Sequence, residues 1–109
     1  MQYETKVLTT KYQKPDAYGA LSMPVYLTAA FEFPSAKAMN DAFCGRSMDP
    51  SYARIANPTV TYLEERVRQI TGATSVTALN TGMAAIAYAL TAVSGAGLNI
   101  VASKHLFGN

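Results

Sequence analysis

Leu79-Asn80-Thr81-Gly82-Met83-Ala84-Ala85 is the stretch on which the reading of this chain turns. Before it, Thr74-Ser75-Val76-Thr77-Ala78 has the β-branched content of a short strand, placed at 74–79. After it, Ile86-Ala87-Tyr88-Ala89-Leu90-Thr91-Ala92-Val93 is long and apolar enough for a helix, placed at about 82–94. A strand therefore stops, a Thr-Gly turn follows and a helix begins. The first N–H groups of a helix have no intrahelical acceptor and sit at the positive end of the helix dipole. Gly82 has no Cβ to hold an anion away from its amide. Such a turn has the chemistry of a phosphate seat. By itself it is equally an ordinary structural helix start.

Working outward, Asn57-Pro58-Thr59 marks another helix, with Asn as cap and Pro in the first turn, where its missing N–H costs nothing. Val60, Leu63, Val67 and Ile70 follow at helical spacing, Glu64 and Arg68 are set for an i,i+4 pair, and Gly72 closes the helix. Asn99-Ile100-Val101-Ala102-Ser103 reads as a second strand. Helix, strand, helix and strand in succession open an α/β architecture with a largely parallel sheet. The 82–94 helix is apolar nearly all round and slimmed by alanines, which suits a helix packed on both sides inside a larger body.

Upstream, residues 1–34 show no helical period and are punctuated by Pro15, Gly19, Pro24 and Pro34, so an extended arm is expected. Ser35 caps a short helix over Ala36 to Phe43 that Gly45 ends, and Cys44 reads as a small core residue. Residues 45–56 read as loop. The expected division is an arm with one short helix (about 35–44) and loop over 1–56, and the first part of an α/β domain over 57–109. The close on Phe107-Gly108-Asn109, a turn signal, reads as part of a longer protein.

Bulk properties exclude several classes. Of 109 residues, 50% are hydrophobic and 15% charged, which is globular rather than disordered material. Nine Lys/Arg against seven Asp/Glu give a net charge of +2 with no basic run, which argues against nucleic acid. Arg66 and Arg68, beside Glu64 and Glu65, read as a solvated face. A single cysteine and a single histidine rule out an internal disulfide and a zinc-type cluster, and fit the cytoplasm. The longest apolar stretch is too short to span a bilayer, and the start of the chain lacks the apolar segment of a signal peptide.

Two further stretches carry candidate chemistry. In Tyr52-Ala53-Arg54, alternate spacing on an extended loop sends both side chains the same way, and a phenol with a guanidinium suits a phosphate. A surface arginine beside a packing tyrosine reads as easily. In Ser103-Lys104-His105-Leu106-Phe107-Gly108-Asn109, Phe107 follows the carboxyl end of a strand, where ligands sit in open α/β sheets. An ordinary strand-to-helix loop fits as well, and Lys104 and His105 have no evident partner for acid–base work.

Four stretches, in order, resemble the pyridoxal-phosphate enzymes of cysteine and methionine metabolism, which include cystathionine γ-synthase, the γ-lyases and the homoserine-ester sulfhydrylases. They are Gly19 to Thr28, Tyr52-Ala53-Arg54-Ile55-Ala56-Asn57-Pro58-Thr59, Thr81-Gly82-Met83-Ala84-Ala85, and Val101-Ala102-Ser103 with Leu106-Phe107-Gly108. The resemblance implies an aminotransferase-like, fold type I domain with pyridoxal 5'-phosphate as cofactor. It implies that the Gly82 and Met83 amides hold the cofactor phosphate, and that Tyr52 and Arg54 reach it from the neighbouring subunit of a dimer or tetramer. It assigns Tyr52 a part in proton transfer and Phe107 stacking on the pyridine ring. Phe107 stands where most members have Tyr, keeping the ring and losing a hydroxyl. Ala56 and Thr81 stand where Gly and Ser are usual.

The Schiff-base lysine and the aspartate facing the pyridine nitrogen have no counterpart here, since none of Lys6, Lys11, Lys14, Lys37 or Lys104 lies in the matching motif. The implied function is the amino-terminal part of a sulfur amino-acid enzyme, inactive alone. O-acetylhomoserine sulfhydrylase, forming homocysteine by γ-replacement, is preferred on the Leu106-Phe107-Gly108-Asn109 loop. Cystathionine γ-synthase and methionine or cystathionine γ-lyase are the close alternatives, and a non-catalytic association fragment is another. The expected ligand is a small amino-acid substrate, with no nucleic-acid or membrane partner.

Overall fold

A computed structural model describes residues 2–9 and 17–106 of the chain. In chain order the helices are α1 (Tyr3–Thr9), α2 (Ala36–Phe43), α3 (Pro58–Thr71) and α4 (Gly82–Val93). Two compact units divide the chain, Met1–Ala78 and Leu79–Asn109. None of the described residues is buried, so capping and hydrogen bonding define these elements more than a core does.

Each of the three longer helices begins on the residue that local chemistry selects. Ser35 Oγ accepts from the Ala38 amide at 3.1 Å, and Asn57 Oδ1 accepts from the Thr59 amide at 2.9 Å. Thr81 Oγ1 accepts from the Ala84 amide at 3.0 Å. In all three the cap backbone is extended, as a capping side chain requires. Gly72 ends α3 in the left-handed region at φ 74°, where a Cβ would be strained.

Four expectations are corrected in these elements. Tyr3–Thr9 is helical rather than extended; seven residues are too few to hold a helix alone, and tertiary contact compensates. Arg66 of α3 donates to the Val7 carbonyl near the end of α1 and lies 5.6 Å from the Tyr62 ring centroid, so it docks one helix on another instead of lining a solvated face. Arg68 pairs bidentately with Glu65, at 2.7 and 2.8 Å, rather than with Glu64. Glu64 is engaged elsewhere, its Oε1 accepting from the Ala78 amide at 2.8 Å. Cys44 is exposed at the end of α2, with Sγ 3.7 Å from Asn40 Oδ1, and is no core residue.

Segments 74–79 and 99–103, expected as strands, carry no strand among the described residues. A strand is defined by its ladder, and neither segment has one here. Among the described residues the one isolated bridge is antiparallel, between Ala30 and Tyr52.

The ion pairs lie at the surface with their carboxylates half-buried, and their worth is small and salt-dependent. Arg68, and then Gln69, hold the Glu65 carboxyl down to about 2 from an ordinary 4.5. Hydrogen bonds from Lys37 and Arg46 lower Asp41 in the same way. A depressed carboxyl stabilises the folded form above its ordinary titration range and loses that contribution as the pH falls toward the folded value. The helical far-UV signal is therefore expected to decline modestly from pH 4.5 to pH 2. Glu65→Gln is expected to show a shallower decline, and an identical one would contradict the pairing.

Candidate functional site

α4 begins where Thr81 caps it, and Thr81 contributes twice. Its hydroxyl takes the Ala84 amide, and its carbonyl takes the Ala85 amide at 3.2 Å. The two preceding donors, the Gly82 and Met83 amides, have no acceptor among the described residues. A Cβ built on Gly82 would meet no described atom within 4 Å beyond its chain neighbours and the backbone of its own helix, so the space on its side-chain side is open. Both residues are exposed, Met83 at 62%. The first turn carries no acidic side chain to compete for the dipole.

The Glu64 carboxylate grips the Ala78 backbone, three residues before the cap. The sequence carried no sign of this bond, because Glu64 looked committed to Arg68 on its own helix.

Tyr52 and Arg54 lie in the first unit, and the loop between them differs from expectation. It is a turn, closed by the Ile55 and Ala56 amides, which donate to the Tyr52 carbonyl at 2.9 and 3.0 Å. The two side chains nevertheless meet, with the Arg54 guanidinium carbon 5.2 Å from the Tyr52 ring centroid. That is cation–π distance. Neither the Tyr52 hydroxyl nor the Arg54 guanidinium has a hydrogen-bond partner among the described residues, and both residues are exposed. Stacking on a ring leaves the planar fork of guanidinium donors available to an anion.

The arm lies along this loop. Ala53 N donates to Ala29 O at 2.8 Å, and Phe31 N donates to Ser51 O at 3.2 Å. Thus Pro24 to Phe33 engages residues 51–59 of its own chain. Phe107 lies outside the described residues. Among the described residues no group of three or more His, Cys, Asp or Glu could hold a metal ion, and no helix is long and apolar enough to cross a membrane.

Free amides at a helix start suit the phosphate of a cofactor such as pyridoxal phosphate. A phenol and a guanidinium with unused donors are likewise chemically suited to an anion. A sequence profile for Cys/Met metabolism PLP-dependent enzymes matches residues 4–109, and the chain belongs to that family.

An O-acetyl-L-homoserine sulfhydrylase of Corynebacterium glutamicum is 33% identical over 97% of this chain and 24% of its own length. An L-methionine gamma-lyase of Pseudomonas putida is 34% identical over 97% of this chain and 27% of its own. A crystal structure of an O-acetylhomoserine (thiol)-lyase from Campylobacter jejuni, containing a pyridoxyl-lysine phosphate, superposes with a TM-score of 0.75 at 29% identity. It covers 83% of this chain and 21% of that one. The architecture is thus that of a fold type I domain, and the family's cofactor is pyridoxal phosphate. The chain spans about a quarter of the length of these relatives.

Proposed function

We propose that these residues form the amino-terminal, phosphate-binding part of a cytoplasmic enzyme of sulfur amino-acid metabolism that carries out γ-replacement on an O-acylhomoserine. The observation that carries the reading is the pair of amides on Gly82 and Met83, at the start of α4, with no acceptor among the described residues. In this reading those amides take the cofactor phosphate, and Arg54 and Tyr52 complete its shell from a neighbouring subunit of a homo-oligomer. In the same reading Phe107 supplies a flat apolar face for the pyridine ring, and the Tyr52 hydroxyl passes a proton to or from the substrate. When bound, the cofactor supplies an electron sink for carbanion chemistry. The chain's own part is to bind, orient and exclude water.

O-acetylhomoserine with sulfide as the nucleophile is the preferred substrate pair, supported by the sulfhydrylase relative. The similarly matched methionine gamma-lyase supports a second reading, elimination from methionine. Assay of the full-length protein separates them. Homocysteine formed from O-acetylhomoserine and sulfide is the expected product. Methanethiol released from methionine, without homocysteine synthesis, would favour the lyase. Residues 1–109 alone, mixed with pyridoxal phosphate, are expected to give neither product, because no lysine here lies in the cofactor-carrying motif.

A further inference from the structure

We infer that Asn57 and Thr59 are positioning residues that set the Tyr52–Arg54 pair by clamping the backbone of the arm at Tyr26. The Tyr26 amide donates to Thr59 Oγ1 at 2.9 Å. The Tyr26 carbonyl accepts from Asn57 Nδ2 at 3.1 Å. Both backbone groups of one arm residue are therefore met by two side chains that flank Pro58, doing for Tyr26 what a neighbouring strand would do.

Asn57 divides its amide group between two tasks. Its oxygen caps α3 through the Thr59 amide, and its nitrogen holds the arm. Three to five residues further along, the arm pairs with the Tyr52 segment through the Ala53–Ala29 and Phe31–Ser51 bonds. The Tyr26 and Phe31 rings, 6.4 Å apart, brace the span between the two attachments. A closed circuit results, running along the arm from Tyr26 to Phe31, across to Ser51–Ala53, through the Tyr52–Ala56 turn and back to Asn57. Arg54 sits on the one part of that circuit that is only a turn, so its place depends on both attachments. Neither Asn57 nor Thr59 needs to touch a ligand to act in this way. The requirement is for chemistry at the side-chain tip: an acceptor at 59 and an amide at 57, with an acceptor oxygen and a donor nitrogen.

The inference rests on the phosphate-binding role proposed above for Tyr52 and Arg54, and the test keeps the two apart. In the full-length protein, hydrogen–deuterium exchange of the peptide covering Tyr26 reads the clamp, and the pyridoxal phosphate dissociation constant reads its consequence. Thr59→Val keeps the shape and removes the acceptor. Losing one net hydrogen bond is expected to speed exchange about fivefold and to raise the dissociation constant by a comparable factor. Thr59→Ser is expected to restore both. Asn57→Ser, which keeps a capping oxygen but no amide donor, should reproduce the Thr59→Val result should that variant fold poorly. Arg54→Gln should weaken cofactor binding with exchange at Tyr26 unchanged. Thr59→Val and Asn57→Ser with normal exchange, or with faster exchange but unaltered cofactor affinity while Arg54→Gln weakens it, overturn the inference and leave the phosphate role standing. Unaltered affinity in Arg54→Gln overturns the phosphate role, and the inference falls with it.

Discussion

Heated alone in dilute solution, the 109-residue chain is expected to show no cooperative unfolding transition and to bind a hydrophobic dye strongly at room temperature. Ordering a residue costs about 1–2 kcal/mol of backbone entropy. Burying a large apolar side chain returns about 1.5–3 kcal/mol, and that return is largely missing here. No described residue is buried, and Leu21, Leu27, Val93 and Val101 stand 82–103% exposed. On α4, Ile86, Tyr88 and Val93 are all more than half exposed, on a helix with no charged residue. Helix caps contribute about 0.5–2 kcal/mol each, solvent-screened ion pairs add little, and neither can substitute for a core. Scanning calorimetry at low concentration, with sedimentation to establish that the species is monomeric, checks this. A broad, sloping trace is the expected result, and a sharp endotherm from a monomer with no dye binding would contradict it.

The sequence was most legible where structure is local. Ser35, Asn57-Pro58 and Gly72 mark helix boundaries through bonds to neighbours two to four residues away, and the helices over 36–43, 58–71 and 82–93 stand where those signals put them. It was least legible where one segment reads another at a distance. The arm's hold on Asn57 and Thr59 spans more than thirty residues and engages the Tyr26 backbone, which no side-chain pattern records. Helix α1 was missed for the same reason, since its support comes from Arg66, far along the chain. The i,i+4 spacing of Glu64 and Arg68 is visible in a sequence, whereas the Ala78 amide that Glu64 takes instead is not. The two apolar segments at 74–79 and 99–103 have strand composition without a ladder, because composition reports a preference and pairing requires a partner. For the site, the Thr-Gly turn and the Tyr-x-Arg pair could be named from residue chemistry. Their geometry could not: the Tyr52–Arg54 loop is a stacked turn rather than an extended pair.

Gly82→Pro in the full-length protein is expected to cut pyridoxal phosphate affinity roughly 10- to 100-fold, the equivalent of one charge-assisted hydrogen bond. The substitution is unusually clean. Proline is favoured in the first turn of a helix, where it removes only a donor the helix itself does not use. Thr81, which would precede it, already has the extended backbone that proline demands of its neighbour, at φ −146° and ψ 152°. No described atom beyond its chain neighbours and the backbone of its own helix lies within 4 Å of a Cβ at Gly82, so the added carbon at that site has room. Gly82→Ala keeps the amide and adds the Cβ alone, so a loss of affinity there would arise from crowding of the ligand rather than of the protein. The decisive measurement is the pyridoxal phosphate dissociation constant of Gly82→Pro beside wild type, with the far-UV spectrum recorded on the same samples. An unchanged spectrum with affinity down at least tenfold is the predicted result, and equal affinity in a folded variant would show that the start of α4 does not hold the phosphate.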